Sequence, residues 1–538
     1  MIRISQMKMP ISHGSEELPA KAAGMLHIKR TDILSWKIIR KSVDARKKPD
    51  IYFIYTIDLE VRDEERLLRR HHGSIRRAEE TMYQFPACLP PAGIKRPVII
   101  GTGPAGLFCG CLLSAHGFRP ILLERGKAVE NRQKDVEAFW KSGVLLPDSN
   151  VQFGEGGAGA FSDGKLNTLV KDKNGRNREA LRILVDAGAP EEILYEAKPH
   201  IGTDILMRVV RNLREKIISS GGEVRFESNV TDLVIKKGAV CGVIINGKEH
   251  LETDNVVLAI GHSARDTFQM LYGREVPMEA KAFAVGLRVE HPRQMIDKIQ
   301  YGMEKSRFLQ AADYKVTAQT ETRGIYSFCM CPGGYVINAS SEEGRLAVNG
   351  MSYSGRNGKN SNSAVIVTVT PDDFESENPL SGVAFQRKLE EKAYRAGQGK
   401  IPVERYGDFK EAVTGEIKTP SALAREYPDF LPEIKGGWIF SPVHEILPEA
   451  LNRAFVEGME QFGKKLPGFS DSGVYLSGIE SRTSSPVRIH RDDTGQSAVR
   501  GLYPCGEGAG YAGGIMSAAM DGMLTAEKIA MKFSDMGK

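Results

Sequence analysis

The sequence lacks any long hydrophobic run, and what is missing already excludes several classes of protein. It has no stretch of about 18 consecutive apolar residues, and residues 1–19 contain no apolar segment of the kind that directs secretion. We therefore expect a cytoplasmic protein without a membrane span. Cysteine is also scarce, with seven residues that are odd in number and form no CxxC pair. Such a set predicts reduced thiols and neither a disulfide framework nor a zinc site.

The motifs of the commonest hydrolases are absent as well. Neither GxSxG nor HExxH occurs, which excludes the usual serine-hydrolase and zinc-protease patterns. The remaining composition is that of a globular protein, with 41% hydrophobic and 26% charged residues in a chain of 538. The net charge is +5, and residues 1–95 hold 18 Lys and Arg against 12 Asp and Glu. The basic excess is therefore local to the first segment.

The clearest motif is the glycine fingerprint GTGPAG at residues 101–106. A short apolar strand precedes it, an apolar helix follows it, and a second strand ends at Glu124. In this pattern Gly101 permits the tight turn, Gly103 lets the backbone approach a pyrophosphate, and Gly106 allows close helix packing. The helix N-terminus offers N–H groups to phosphates, and Glu124 is spaced to accept hydrogen bonds from a ribose diol. The stretch predicts a βαβ unit that binds a dinucleotide.

Three further segments carry glycine where a ligand would approach the backbone. A second glycine cluster spans residues 154–165, a buried strand ends at Gly261-His262, and a third cluster at 503–515 leads into a helix over 516–532. So many adjacent glycines are incompatible with a stable helix or central strand. We interpret them as backbone that lies close to a flat or phosphorylated ligand.

The chain around these segments divides into four parts. Residues 1–95 predict a small basic α/β module with a helix over 32–42, a strand over 51–61 and a charged helix over 62–80, followed by a proline-rich linker at 86–96. Residues 96–280 form the first part of the nucleotide domain. Residues 281–470 contain alternating strands followed by helical stretches, a pattern that predicts an inserted antiparallel domain. Residues 471–538 belong again to the nucleotide domain.

The segments together resemble a known group of flavoproteins. The layout resembles the glutathione reductase-like proteins with two dinucleotide-binding folds. The strings FGEGGAGAFSDGKL, CMCPGGYVINASSEEGRLAVNGMSY, GIESRTSSPVRI and YPCGEGAGYAGGIMSAAMDG more closely resemble the bacterial family of uncharacterised FAD-dependent, "NAD-utilizing" dehydrogenases, from about residue 40 to the end. The resemblance implies non-covalent FAD. It also implies an α/β fold: a Rossmann-like FAD-binding domain of discontinuous segments, an inserted antiparallel β-rich (α+β) substrate domain and the N-terminal module.

The predicted site follows from these motifs and the resemblance. In the last segment the family's Gly-Asp is replaced by Gly506-Glu507. No second fingerprint opens another βαβ unit, so a separate site for NAD(P)H is not indicated, and NAD(P)H as electron partner stays open. The predicted cofactor-binding residues are Gly101, Gly103, Pro104, Ala105, Gly106, Glu124, Arg125, Arg132, Gly156, Gly157, Ser162, Asp163, Gly164, Lys165, Val230, Gly261, Gly506, Glu507, Gly513, Gly514 and Ile515.

The candidate catalytic groups are Arg482, Arg488 and His262. The two arginines immediately precede the last glycine segment, where a guanidinium could orient an anionic substrate, although an ordinary salt bridge is an equal alternative. His262, His200 and His444 are candidate proton-transfer groups, with a structural histidine as the alternative for each. No metal is expected.

The leading hypothesis is a FAD-dependent oxidoreductase, a dehydrogenase that transfers a hydride between flavin and a small anionic substrate, with an unidentified electron acceptor or donor. A second hypothesis is an RNA-modifying or RNA-binding flavoprotein that uses the basic residues of the N-terminal module. These are Lys37, Arg40, Lys41, Arg46, Lys47 and Lys48. A run of charges is usually a solvated face, and nucleic acid is therefore the less favoured partner. A third is a flavin-binding protein without turnover.

Overall fold

The computed structural model describes residues 1–71, 73, 75–86, 90–91, 93–374 and 376–534. Cys88 and part of the linker expected at 86–96 lie outside these residues. The other six cysteines are free thiols within them, as expected.

The N-terminal module is an antiparallel sheet with two helices. Its strands run in the order β2-β3-β1-β4, and one hydrophobic cluster joins the sheet to both helices. The bounds are β1 Ile2–Pro10, α1 Glu17–Leu26, β2 Ile33–Asp44, β3 Tyr52–Val61, α2 Glu64–Arg70 and β4 Ile75–Arg77. The strand expected over 51–61 is confirmed.

The helix expected over 32–42 is wrong, because these residues form strand β2. It pairs along its whole length with β3, from Ile33 opposite Val61 to Asp44 opposite Tyr52. The register shifts twice, between Ile33 and Ser35 and between Ile38 and Arg40. Each shift moves the following side chains to the other face of the sheet, so the period-two alternation typical of a strand is broken in the sequence. The apolar spacing that remains imitates a helix.

The charged helix expected over 62–80 is only partly correct. Helix α2 ends at Arg70, and residues Ile75–Arg77 pair as strand β4 with β1, opposite Ile2–Ile4. The free edge of β1 offers unpaired backbone N–H and C=O groups, and pairing with it outweighs the helix propensity of the charged residues.

Four of the six basic residues named for the nucleic-acid hypothesis make contacts within the protein. Lys37 pairs with Glu80 at 3.0 Å, Lys41 with Glu196 at 2.9 Å and Arg46 with Asp44 at 2.8 Å. Lys48 donates to the backbone carbonyl of Ile299. Half of the set is thus paired with carboxylates, and no observation here favours the nucleic-acid hypothesis.

The nucleotide domain is built on a parallel sheet with strand order β24-β11-β5-β6-β7. Helices α3 and α13 pack in the same hydrophobic cluster as the central strands. The bounds are β5 Val98–Ile100, α3 Pro104–Ala115, β6 Ile121–Leu123, α4 Val129–Ser142, α5 Arg176–Asp186, α6 Thr203–Ser219, β7 Glu223–Arg225, β11 Val256–Leu258, β24 Leu502–Pro504 and α13 Ile515–Ser534. Segments far apart in sequence thus meet in one sheet, as the predicted α/β fold requires.

Two smaller units flank that sheet. An antiparallel meander consists of β8 Val230–Lys236, β9 Ala239–Ile245 and β10 Glu249–Glu252, followed later by helix α7 Arg265–Gly273. A two-stranded ribbon joins β12 Met278–Ala280 to β23 Val487–Ile489. The ribbon brings the beginning and the end of the intervening region together.

That intervening region is dominated by a mainly antiparallel sheet with order β14-β15-β18-β13-β22-β19-β21 and by a smaller sheet β17-β16-β20. The bounds are β13 Phe283–Pro292, α8 Arg293–Tyr301, β14 Thr317–Gln319, β15 Gly324–Cys331, β16 Tyr335–Asn338, β17 Val348–Met351, β18 Asn360–Val369, α9 Ser381–Ala396, β19 Ile401–Arg405, α10 Tyr406–Thr414, α11 Leu423–Glu426, β20 Ile434–Lys435, β21 Trp438–Phe440, α12 Glu449–Lys465 and β22 Tyr475–Glu480. Strand β22 belongs to this sheet although it follows the boundary expected at residue 470. The division into domains stays a prediction. Among the helices of the described residues, none has the length and apolar character needed to cross a membrane.

Helices α3 and α13 touch through their backbones. A Cβ atom at Gly522 in α13 would lie 2.1 Å from the carbonyl oxygen of Ala105 in α3. We expect Gly522→Ala to force the helices apart and to lower the free energy of unfolding by about 1–3 kcal/mol, as overpacking does. Chemical denaturation monitored by circular dichroism measures it.

Gly24 in helix α1 provides the matched control, because a Cβ there would meet nothing within 4 Å. Gly24→Ala should raise stability by about 0.5–1 kcal/mol through the better helix propensity of alanine. If Gly522→Ala behaved like Gly24→Ala, the close contact between the helices would be refuted.

Candidate functional site

The first glycine loop joins β5 to α3. Gly101 has φ +100°, and a Cβ there would lie 2.4 Å from the carbonyl oxygen of Ala259 at the end of β11. Gly103 caps the N-terminus of α3, and a Cβ there would meet only the Cα of Gly157, at 3.9 Å. Gly101 is therefore required by packing within the sheet, whereas Gly103 borders open space. The start of α3 is accessible to an anion.

Glu124 connects the first glycine loop to the second. Its carboxylate accepts hydrogen bonds from the backbone N–H (3.0 Å) and hydroxyl (2.7 Å) of Thr102. It also accepts bonds from the backbone N–H groups of Gly126 at 2.9 Å and Gly154 at 3.1 Å. The carboxylate thus fixes both loops from within the protein. A hydrogen bond from a ribose to Glu124 stays a prediction, because the contacts within the protein already account for the position of this carboxylate.

Arg132 in α4 organises the second glycine loop. Its side chain is fully buried, and it donates to the backbone carbonyls of Asn150, Val151, Gly154, Glu155 and Gly157. Burial lowers the pKa of Arg132 to about 10, so it remains charged at neutral pH. Because five carbonyl dipoles surround the guanidinium, the loop is held in one conformation. We expect Arg132 to act on the cofactor through this loop.

The glycine loops open into one cavity of about 940 Å³, at the upper end of the range for ligand sites. Its wall includes these predicted residues: Gly101, Gly103, Pro104, Ala105, Glu124, Arg125, Gly157, Ser162, Asp163, Gly164, Lys165, Val230, Gly261, His262, Arg482, Glu507, Gly513, Gly514 and Ile515. The wall does not include Gly106, Arg132, Gly156, Gly506 or Arg488. The structure therefore brings most of the predicted set to a common space.

The far wall of the cavity comes from parts of the chain that the glycine motifs did not identify. It contains Ser327–Cys331 of β15, Glu480 at the end of β22, residues 193–199, and Ile39 and Arg40 of the N-terminal module. The module is joined to this wall by backbone hydrogen bonds from Lys41 to Tyr195 (2.7 Å) and from Ala197 to Lys41 (2.8 Å). Three separate regions thus enclose the space beside the glycine loops.

Arg482 lies in this wall but is held by protein groups. Its Nε and Nη2 donate to the two oxygens of the fully buried Glu390, both at 2.9 Å. Its Nη1 donates to the hydroxyls of Ser263 (3.3 Å) and Ser341 (2.5 Å). Glu390 also binds Arg265 at 2.7 Å, and the arginines hold its pKa well below the usual range. Substrate orientation by Arg482 stays a prediction, and the geometry favours the salt-bridge alternative.

The remaining candidates divide between the cavity and other places. His262 lines the cavity, and its Nδ1 lies 3.4 Å from Glu507. Arg488 lies outside the wall, where it donates to the carbonyl of Gly510 at 3.3 Å. His444 is bound to Glu404 at 2.8 Å, and His200 to Gln310 at 2.9 Å, and neither lines the cavity. Of the three histidines, His262 is the one placed for proton transfer.

Two residues of the cavity wall, Cys329 and Glu480, went unrecognised in the sequence. Cys329 lies at a bulge of β15 with φ +41°, and its side chain is exposed to the cavity. Burial of the surrounding wall nevertheless raises the pKa of its thiol to about 12. Glu480 pairs with Arg288 at 3.3 Å. The contact between Glu480 and Arg288 arises because neighbouring strands pair, so the local sequence around either residue does not indicate it. The string Cys329-Met330-Cys331, in contrast, can be seen in the sequence.

Comparison with known proteins adds the family. Residues 282–483 match a family described as "FAD-dependent protein, C-terminal domain-like", and residues 1–60 match a domain of unknown function. A protein of Clostridium beijerinckii, described as an uncharacterized protein, is 46% identical over 540 residues, which cover 99% of each chain. The chain belongs to a flavoprotein family that includes this Clostridium protein. Its cofactor is non-covalent FAD, and the two glycine loops and the cavity fit that cofactor. The narrower glutathione reductase-like, "NAD-utilizing" placement stays a prediction.

Solved structures show a more distant likeness. L-proline dehydrogenase from P. horikoshii is 13% identical with a TM-score of 0.35, covering 82% of this chain and 94% of that chain. A geranylgeranyl bacteriochlorophyll reductase-like protein from Thermoplasma acidophilum is 12% identical with a TM-score of 0.35, covering 82% and 80%. At TM-scores this low, neither supports a conclusion about this chain.

We expect Arg132→Lys to weaken retention of FAD. A lysine ammonium has three donors and lacks the planar fork, so at least two of the five carbonyl bonds are lost, each worth about 1.5–3 kcal/mol. The flavin-to-protein absorbance ratio after gel filtration, with thermal melts, measures the loss.

Arg211→Lys on helix α6 is the control, because Arg211 is half exposed and its contact with Glu215 is 3.7 Å. Its retention of FAD should match the wild type. Equal retention in both variants would contradict the role assigned to Arg132.

Proposed function

We propose that the protein is a FAD-dependent oxidoreductase that exchanges a hydride between FAD and a small anionic substrate. The observation that carries this proposal is the shared cavity, in which FAD-binding loops face a wall supplied by the inserted sheet and the N-terminal module. A cofactor site closed by a second structural unit is the usual arrangement for a substrate beside a cofactor. When bound, FAD supplies the acceptance of two electrons and a hydrogen.

The charge of the wall supports an anionic substrate. Of its six carboxylates, Glu196, Asp313 and Asp163 are paired with Lys41, Lys198 and Arg356. The other three also have partners in the protein: Glu480 faces Arg288, Glu507 faces His262, and Glu124 accepts backbone hydrogen bonds. In contrast, Arg40, Lys165 and Lys315 line the cavity without a carboxylate within ion-pair distance in the described part of the chain. Lys165 donates only to the backbone carbonyl of Met330. Cations in a cleft attract anions.

The residues of this chain would then have separate tasks. The N-terminus of α3 at Gly103 and that of α13 beside Gly514 would hold the negative groups of FAD. Arg40, Lys165 and Lys315 would hold the anionic group of the substrate, and the apolar part of the wall would exclude water. Because Arg40 comes from the N-terminal module, that module would contribute to substrate recognition.

The charge of Arg40 can be tested without knowing the substrate. We expect sodium oxalate and sodium phosphate, titrated at constant ionic strength, to perturb the flavin absorbance of the wild-type holoprotein. Arg40→Gln should weaken the oxalate or phosphate response about tenfold or more, the usual effect of losing one charge-assisted hydrogen bond. Difference spectra in the visible range measure the dissociation constants.

Lys47→Gln is the matched control, because Lys47 belongs to the same module, is exposed and does not line the cavity. It should leave the titrations unchanged.

The oxidoreductase proposal itself is tested by anaerobic mixing with small hydroxy acids, amino acids and phosphate monoesters of alcohols. We expect at least one of these donors to bleach the flavin. An absence of both anion response and bleaching, in a flavin that light can reduce, would refute the proposal.

A further inference from the structure

Glu480 is a buried carboxylate in the cavity wall that the proposed function does not yet use. Its side chain, at the end of β22, is 4% exposed. Its Oε2 lies 3.3 Å from Nε of the fully buried Arg288. Within the described residues, however, neither of these two atoms makes a hydrogen bond. Burial raises the pKa of Glu480 in spite of the opposing charge of Arg288.

A counterion role alone does not explain this geometry. Where this protein pairs a buried arginine with a carboxylate for structure, as in Arg482 and Glu390, two direct hydrogen bonds are formed. Arg288 instead donates a hydrogen bond from its Nη1 to the carbonyl oxygen of Cys329 at 2.9 Å. Since a buried polar atom without a hydrogen bond is unfavourable, the unsatisfied Oε2 of Glu480, a residue that lines the cavity, indicates a missing partner.

His262 is the second group with such an atom. Its side chain is 10% exposed, and its Nε2 is buried with no hydrogen-bond partner among the described residues. Its Nδ1 faces Glu507 at 3.4 Å, and Glu507 is 23% exposed. A positive charge on His262 would lower the pKa of Glu480. A carboxylate, an imidazole and a second, more exposed carboxylate therefore line the same cavity.

The other titratable groups near Glu480 keep their protons at neutral pH or are paired, so Glu480 is the group that can act as acid or base. Arg288 of β13 stays charged at neutral pH: burial lowers its pKa, but the negative charge of Glu480 opposes this and the pKa stays above its ordinary value. Burial raises the pKa of Cys329 to about 12 and that of Cys331 to about 11, so both thiols stay protonated. Arg482, two residues further on, is occupied by Glu390.

We propose that Glu480 is the catalytic proton acceptor and donor of this site. This inference rests on the proposed function. In the oxidation of an alcohol or amine, the substrate C–H bond breaks and its hydride reduces FAD. The O–H or N–H bond on the same carbon breaks as well, its electron pair forms the C=O or C=N bond, and its proton goes to Glu480. The reverse reaction takes the proton from Glu480.

The pH dependence of the flavin midpoint potential tests this inference without a substrate. Its slope measures the protons taken up per electron pair. Reduction adds negative charge to the cavity and so raises the pKa of a nearby carboxyl. For the holoprotein between pH 5 and 9, we expect the plot of midpoint potential against pH to contain a segment whose slope is steeper by one proton per electron pair. The slope changes at each end of this segment, and we call these two changes the breaks. Glu480→Gln should remove both breaks, as spectroelectrochemical titration will show.

Glu290→Gln is the matched control. Glu290 is also fully buried, has an oxygen without a hydrogen bond, and has a pKa that burial raises to about 7. It does not line the cavity, so its variant should keep the wild-type breaks. A wild-type plot without breaks, or the same breaks in Glu480→Gln, would overturn the proposal.

Two further variants protect the test if Glu480→Gln fails to fold. Glu480→Asp and His262→Gln both keep a carboxyl group at position 480, and each should displace the breaks along the pH axis. Unchanged breaks in both would overturn the proposal. Because the titration needs no substrate, breaks that depend on Glu480 in a protein that no anionic donor reduces would contradict the proposed function alone.

Discussion

The structure of the site depends on the contact between two glycine loops, which two buried side chains hold together. Gly103 at the start of α3 and Gly157 of the second loop lie so close that a Cβ at Gly157 would be 3.0 Å from the Cα of Gly103. Two buried charges of opposite sign maintain this contact, since Glu124 binds backbone N–H groups and Arg132 binds backbone carbonyls. A buried charge is costly unless polar groups surround it, and here the loops supply those groups. The charges and the loops therefore stabilise each other.

The cavity follows from that contact. With the loops fixed, the helix N-termini at Gly103 and Ile515 border the same space, and the inserted sheet closes it from the far side. The wall contains ion pairs with full hydrogen bonding, such as Arg482 with Glu390, beside groups that keep an atom free, such as Glu480 and His262. On this contrast rests our proposal that Glu480, and not Arg482, acts on a ligand.

The sequence allowed correct predictions where neighbouring residues determine the structure, and it failed where distant segments do. The βαβ unit around GTGPAG was predicted because strand, turn, helix and Glu124 are contiguous, and the α/β fold class is confirmed. Strand β2 was missed because two bulges remove its alternation. Arg40 could be recognised as basic but not as part of the cavity, since its position depends on how β2 meets residues 195–197. Glu480 and Arg288 are 192 positions apart and meet only through strand pairing between β13 and β22.

The FAD content of Gly103→Trp tests most directly whether the glycine loops hold the cofactor. The space beside Gly103 is open cavity and not packed core, so an indole there should occupy the place of the pyrophosphate while the fold remains. We predict that the purified wild-type protein carries stoichiometric FAD, released by heat and identified by chromatography. We predict that the variant carries none although its circular dichroism spectrum is unchanged. A folded variant that retains FAD, or a wild-type protein that releases only FMN, would contradict the central claim.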